Sequence, residues 1–244
     1  MRSEIVDYFC DETGLKGQVY YREDIAKKKP AVLVAHAWKG RDQFALDKAK
    51  ILAEMGYVGF AADLYGEGKV VESNEEAFEL MLPLFLDRKL LRDRITAAYR
   101  AVSEHDQVDP QKIGAIGFCF GGATVLELIR SGVDLQGVVS FHGLLGMTLG
   151  EQKAEMAPTA EKLFGSLLIL HGYQDPMVSR EDVVNIQKEF SAKGIDWQMH
   201  TYGNASHAFT NPDANEPESG LIYDSIAEKR AMQSMKNFFS EVFV

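Results

Sequence analysis

Apolar residues come in short continuous blocks along this chain, each bounded by glycine, proline or charged positions. Ala31-Val32-Leu33-Val34-Ala35, directly after Pro30, is one such block, and its length and composition predict a strand buried on both faces. Tyr57–Ala61, Leu135–Phe141, Ser166–Leu170 and Asp196–Tyr202 predict further strands, as does Ile113-Gly114-Ala115-Ile116. Ile5–Cys10 and Gly17–Arg22 predict two early strands placed to form a hairpin. Helical spacing fills the intervals: Phe44–Met55, stopped by Gly56; Gly122–Arg130; Arg180–Lys193; and a closing helix over Ile222–Phe243. Asn74–Leu82 and Arg88–Glu104 predict two more helices, with Pro83 as the break between them. Strands alternating with helices predict an α/β fold, a mostly parallel central sheet flanked by helices on both faces. No repeat, low-complexity stretch or linker interrupts the chain, so residues 1–244 read as a single domain. Asn211–Ser219, with two prolines, reads as a surface excursion.

One segment is more apolar than its fold role requires. Between Asn74 and Arg94, Phe78, Met81, Leu82, Leu84, Phe85 and Leu86 exceed what one helix face needs. Part of this segment is expected to wall a pocket, with Met81 and Phe85 as the lining side chains.

The chemistry centres on Gly117-Phe118-Cys119-Phe120-Gly121, which joins a predicted strand to a predicted helix. A reactive side chain between two glycines at such a turn is the nucleophile elbow of α/β-hydrolases. The glycines are needed because a Cβ there would strike the neighbouring strand or helix. Cysteine occupies the nucleophile position, which points to acyl transfer through a thioester. The helix N-terminus behind it favours the thiolate. In open parallel sheets reactive groups gather beyond the C-terminal strand ends. His171-Gly172-Tyr173-Gln174-Asp175 follows one late strand, and Gly203-Asn204-Ala205-Ser206-His207 follows the next. Cys119, Asp175 and His207 thus stand in the chain order nucleophile, acid, base. Thiol attack, proton transfer by imidazole and a carboxylate to fix the ring tautomer need all three. The backbone N–H groups of Phe120 and of Trp38, in the loop after Ala31–Ala35, are the expected oxyanion donors. His36, His142 and His171 each end a strand and read as hydrogen-bonded structural histidines. His36, Ala37 and His142 are also expected to border the pocket.

Composition narrows the partners. The net charge of −10 argues against nucleic acid or an anionic membrane surface. The one basic run, Lys27-Lys28-Lys29, reads as a solvated loop. No apolar run approaches the roughly 20 residues that span a bilayer, and Met1-Arg2-Ser3-Glu4 does not open a signal peptide. Cys10 and Cys119 are the only cysteines, so no disulfide framework is expected and a reducing cytoplasm fits. No histidine stands at metal-ligand spacing, and neither a phosphate-binding loop nor a dinucleotide fingerprint occurs. The expectation is therefore an enzyme without metal or cofactor, working as a monomer or homodimer.

The chain resembles the dienelactone hydrolase family of α/β-hydrolases from about Pro30 to Phe239. The resemblance rests on Leu33-Val34-Ala35-His36-Ala37-Trp38-Lys39-Gly40, Ala62-Asp63-Leu64-Tyr65-Gly66, Gly117-Phe118-Cys119-Phe120-Gly121-Gly122, Leu170-His171-Gly172-Tyr173-Gln174-Asp175 and His207-Ala208-Phe209. It implies a cysteine hydrolase of small esters or lactones, with nucleophile Cys119, acid Asp175 and base His207. The alternatives are an acyl hydrolase of thioesters or small amides, or a binding protein that has kept the fold. One departure stands out. Where the family commonly carries a glutamate that activates the cysteine, this chain has Ala37. A direct Cys119–His207 ion pair is the expected substitute. Arg41, Arg88 and Arg92 are candidates by position for holding a substrate carboxylate, and Asn211 stands where a base after the histidine is expected.

Overall fold

A computed structural model describes residues 1–23 and 28–244. Two antiparallel strands, β1 (Arg2–Cys10) and β2 (Thr13–Tyr21), form the predicted hairpin. The remaining main strands are β3 (Lys29–Ala35), β4 (Val58–Ala61), β5 (Val108–Phe118), β6 (Gly137–Phe141), β7 (Ser166–Gly172) and β8 (Asp196–Tyr202). They assemble in the order β1-β2-β4-β3-β5-β6-β7-β8. β2 runs antiparallel to β4, and every pairing from β4 to β8 is parallel. Of the basic run read as a loop, Lys27 lies outside the described residues, Lys28 is exposed and Lys29 already opens β3.

The sheet separates two apolar layers, and β3 shows how. Ala31, Leu33 and Ala35 face a core shared with α3 (Arg88–Ser103), α4 (Phe120–Arg130) and α5 (Arg180–Ala192). Val32 and Val34 face the opposite core, shared with α1 (Gln43–Glu54) and α6 (Ser225–Val242). The period-two alternation of a strand thus feeds two helix layers, which is why the block carries no polar residue.

Several boundaries shift by a few residues, and two of the differences have a clear local reason. Pro83 does not break the chain: α2 runs from Asn74 through Leu86. The lost N–H bond falls near the helix end, and burial of Met81, Leu84 and Phe85 around it offsets the loss. Asp87 then makes the actual turn. Its N–H closes α2 on the Pro83 carbonyl, and its carboxylate accepts the Leu90 N–H (2.9 Å) to start α3. The closing helix begins at Ser225, not Ile222, because Asp224 caps the N–H groups of Ile226 and Ala227 (3.0 and 2.9 Å). Ile222 instead pairs with Asn215 in a two-residue ladder, Asn215–Glu216 against Leu221–Ile222. No helix among the described residues is long and apolar enough to cross a membrane.

Candidate active site

β5 ends at Phe118 and α4 begins at Phe120, so Cys119 alone makes the turn. Its φ of 56° and ψ of −115° lie where non-glycine residues are rarely found. Glycine is required on both sides. A Cβ on Gly117 would enter the carbonyl of Gly121, and one on Gly121 would enter the carbonyl of Ala35 in β3. The Cys119 N–H is tied to the Phe141 carbonyl of β6 (3.1 Å). The Phe120 N–H, first in α4, has no acceptor within its own helix.

Asp175 and His207 meet across the loops that follow β7 and β8. His207 Nδ1 donates to Asp175 Oδ2 at 2.7 Å, and neither side chain is exposed. Asp175 Oδ1 takes the Met177 N–H at 2.8 Å, so both carboxylate oxygens are committed. That arrangement leaves His207 Nε2 buried with no hydrogen-bond partner, on the ring edge away from Asp175. Burial alone would lower the basicity of this ring. The negative charge available at Cys119, and then the Asp175 bond, outweigh it, and the imidazole is pushed up to about 10. The structure therefore brings together the three residues expected from the sequence.

The loop after β3 is held from beneath. His36 is fully buried. Its Nε2 accepts the Leu64 N–H (3.3 Å), which leaves Nδ1 as the donor to the Ala37 carbonyl (2.6 Å). A trans peptide points its C=O and N–H in opposite directions. Pinning the Ala37 carbonyl therefore also fixes the direction of the Trp38 N–H. The Trp38 carbonyl is tied in turn by Tyr65 Oη (2.8 Å). Tyr65 comes from the turn after β4, which is organised by Asp63: its carboxylate accepts N–H bonds from Tyr65, Gly66, Gly68 and Lys16. The Tyr65 phenol is pushed up by burial and by proximity to the Cys119 charge.

A cavity of about 430 Å³ opens over Cys119 and His207. Ala37, Met81 and His142 line it as expected. His36 and Phe85 do not, and each has another task. His36 sits under the loop, bonded on both ring nitrogens. Phe85 is fully buried beneath the Arg88 guanidinium, 4.1 Å from its ring centroid. His142 packs its ring edge-on against His207 (centroids 5.4 Å apart) and bonds Thr210 Oγ1 through Nε2 (2.8 Å). Burial, and then the His207 charge, hold it well below the ordinary histidine range, so it stays neutral beside its charged neighbour. Phe44, Phe78, Phe118, Leu144, Leu149 and Met177 complete the apolar wall. Phe44 and Phe78 lie in predicted helices, whereas Phe118, Leu144, Leu149 and Met177 come from a strand end and loop segments that assemble only in the fold.

None of the candidate arginines reaches the cavity. Arg41 bonds Gln18 (2.9 Å), Arg88 bonds the Gly146 carbonyl (3.0 Å), and Arg92 pairs with Glu127 (2.8 Å). Among the described lining residues, Lys39 is the one lysine or arginine, against Asp42, Asp213 and Glu216, while Asn211 is uncharged. No cluster of three or more side chains suited to hold a metal occurs among the described residues.

Comparison with known proteins agrees with this construction. Residues 16–243 match the dienelactone hydrolase family. A solved structure of a dienelactone hydrolase-like promiscuous phosphotriesterase from metagenomic libraries is 36% identical, with a TM-score of 0.92 over 100% of this chain and 99% of that one. "Protein usf" of Aquifex pyrophilus is 28% identical over 237 residues, 93% of this chain and 95% of its own length. A Bradyrhizobium protein named "Probable 2-oxo-3-(5-oxofuran-2-ylidene)propanoate lactonase" is 27% identical over 77% of this chain and 76% of its own length. With the match spanning nearly the whole sheet and its helices, the chain belongs to the dienelactone hydrolase family of ester- and lactone-cleaving α/β-hydrolases.

Proposed function

We propose that this hydrolase cleaves small, uncharged carboxylic esters and lactones through a thioester on Cys119. The observation that carries the reading is the fully buried Asp175–His207 pair, which leaves Nε2 unpartnered while the nucleophile-elbow cysteine supplies the charge that raises its basicity. The Cys119 thiolate attacks the carbonyl carbon, and the carbonyl π electrons move onto oxygen. The N–H groups of Trp38 and Phe120 stabilise that oxyanion. Collapse breaks the C–O bond, and the His207 imidazolium protonates the departing alkoxide. A water then gives its proton to Nε2 and attacks the thioester, which releases the carboxylic acid and restores the thiolate–imidazolium pair. In a lactone the alcohol stays attached, so one hydroxy acid leaves. Asp175 fixes the ring tautomer throughout.

A burst of p-nitrophenol from p-nitrophenyl acetate, equal to the enzyme concentration, is expected when deacylation is slower than acylation. Iodoacetamide should abolish it and label Cys119 before Cys10. Cys10 is buried, and burial pushes its thiol up. Inactivation with label on Cys10 alone would overturn the assignment.

The substrate's charge follows from the cavity lining. With one lysine against three carboxylates and no arginine, the net-acidic lining disfavours a free carboxylate. The mono-p-nitrophenyl ester of succinate should show kcat/KM about tenfold or more below its neutral ethyl diester, and the gap should narrow in salt. An equal or better rate for the anion would refute this part of the reading. A second reading, cleavage of neutral phosphotriesters, is favoured by the 36% identical phosphotriesterase relative, and the same net-acidic lining suits uncharged substrates.

Tyr65 is a positioning residue in this scheme, because it bonds the Trp38 carbonyl and not the substrate. A direct oxyanion donor is worth about 10²–10³ in kcat. Tyr65→Phe, which only loosens the loop, should lower kcat about tenfold with KM nearly constant. A rise in KM at constant kcat would place Tyr65 in substrate binding instead.

A further inference from the structure

We infer that a second cavity beside the catalytic one holds the long arm of an extended, uncharged substrate, with Leu149 and Met177 as the gate between the two. The inference rests on the proposed ester-cleaving role of Cys119 and adds a binding site for the part of the substrate remote from the reacting carbonyl.

The second cavity, about 800 Å³, lies between the segment at 145–156 and the start of α5. Leu149 and Met177 line both cavities, so these two side chains stand between them. The catalytic chamber alone is near the lower end of the roughly 300–1,000 Å³ of small-molecule pockets. It suits a compact ester, and the adjoining space offers room for a longer chain.

The two gate residues are mounted differently. Met177 is two residues beyond the catalytic acid, and its N–H is bonded to Asp175 Oδ1 (2.8 Å). Its backbone is therefore fixed relative to the triad, while its unbranched side chain is more than a third exposed and can change rotamer. Leu149 sits on a two-residue ladder, Thr148–Leu149 against Gln152–Lys153, that turns at Gly150 (φ 60°). The base of that ladder is anchored: Ala154 N–H bonds the Met147 carbonyl (2.7 Å), Glu155 N–H bonds the Leu86 carbonyl (2.7 Å), and Arg88 Nη2 bonds the Gly146 carbonyl (3.0 Å). The tip is open, with no atom within 4 Å of where a Gly150 Cβ would stand. An anchored base and an open tip let Leu149 swing without disturbing α2 or α3.

The lining selects an uncharged arm. Of the charged groups lining the cavity, Arg130, Asp182 and Glu189 are committed within the protein, while Lys153 and Glu181 are exposed. Arg130 grips Glu127 (2.8 Å) and Glu189 (2.7 Å), and Asp182 is held in the Ser179 cap of α5 (3.0 Å). Between them Leu145, Met147, Met156 and Ile186 supply apolar surface. Each methylene removed from water there should raise kcat/KM about fourfold until the chamber is filled.

The test is a series of p-nitrophenyl esters from acetate to dodecanoate, with a matching series of alkyl acetates. In the wild type kcat/KM should rise with length in at least one series. Leu149→Trp and Met177→Trp, which narrow the passage, should each lower the decanoate-to-acetate ratio, or its alkyl counterpart, about tenfold or more. Leu149→Ala should raise it. Melting curves of all variants establish that they fold. Unchanged ratios in both series would overturn the inference while leaving the role of Cys119 standing. Binding of uncharged decyl methyl ketone and butyl methyl ketone to the Cys119→Ala protein, measured by calorimetry, separates the two readings. If no ester is turned over yet Leu149→Trp weakens only the decyl ligand, the second chamber holds and the catalytic reading fails. If neither ketone's affinity changes, the chamber is not a binding site.

Discussion

Replacing His207 by alanine is expected to lower kcat/KM for p-nitrophenyl acetate by about 10²–10⁴-fold, the usual worth of a positioned general acid–base group. The geometry leaves little room for a substitute. His142, the nearest other imidazole, is bonded to Thr210 and held neutral by burial and by His207 itself. Burial also lowers His171. Asp175→Asn should cost a smaller but still large factor. The buried Nδ1–H would face an amide, so the ring would lose both its charge partner and its preferred tautomer. Combining either change with Cys119→Ala should cost hardly more than Cys119→Ala alone, because the three groups act as one unit. The His207 side chain is fully buried, so His207→Ala leaves a void, and a melting curve must accompany the rate. A folded His207→Ala protein with near wild-type kcat would remove His207 from the mechanism.

The parts of this site that were legible in the sequence are those the chain must encode locally. Gly117 and Gly121 are visible because no other residue avoids the carbonyls of Gly121 and Ala35. Asp175 and His207 are visible because each lies in the loop after a strand, and parallel strands deliver their ends to one edge. The walls were less legible. Phe85 shares the apolar character of Met81, yet it lies under Arg88 while Met81 faces the cavity. A count of apolar residues cannot tell those two faces apart once Pro83 is assumed to end the helix. Leu149 and Met177 carry no periodic signal at all. The place of Leu149 depends on bonds to distant residues, such as Arg88 to Gly146, and that of Met177 on the Asp175 carboxylate. His36 shows a third case. It is the hydrogen-bonded structural histidine expected at the end of β3, yet it does not border the pocket; by holding the Ala37 carbonyl it sets the direction of the Trp38 N–H.

The absence of a carboxylate at position 37 leads to a second large expected effect, on the pH profile. Ala37 lines the cavity without a carboxylate, so in the proposed scheme His207 is the activating group. The resting enzyme is expected to hold a Cys119 thiolate paired with a His207 imidazolium. The sign then follows from His207. Its basicity is raised to about 10, above the ordinary 6.5, so the imidazolium persists through neutral pH and is lost as the pH rises through about 10. Its contribution to folding has the same direction: present in full below about 6.5 and lost by about 10. The alcohol leaving group needs that proton. kcat/KM should therefore be flat across neutral pH and fall about tenfold per unit above roughly 10. Alkylation by iodoacetamide consumes only the thiolate, so its rate should not fall there. His207→Ala should remove the alkaline limb of the residual activity and reduce the ultraviolet thiolate absorbance at neutral pH. Because the two groups titrate together, each limb belongs to the pair. A wild-type kcat/KM that climbs with pH through about 6.5 would instead mean that neutral imidazole is the working form. His207 would then deprotonate a resting thiol during attack, and no standing ion pair would replace the missing carboxylate.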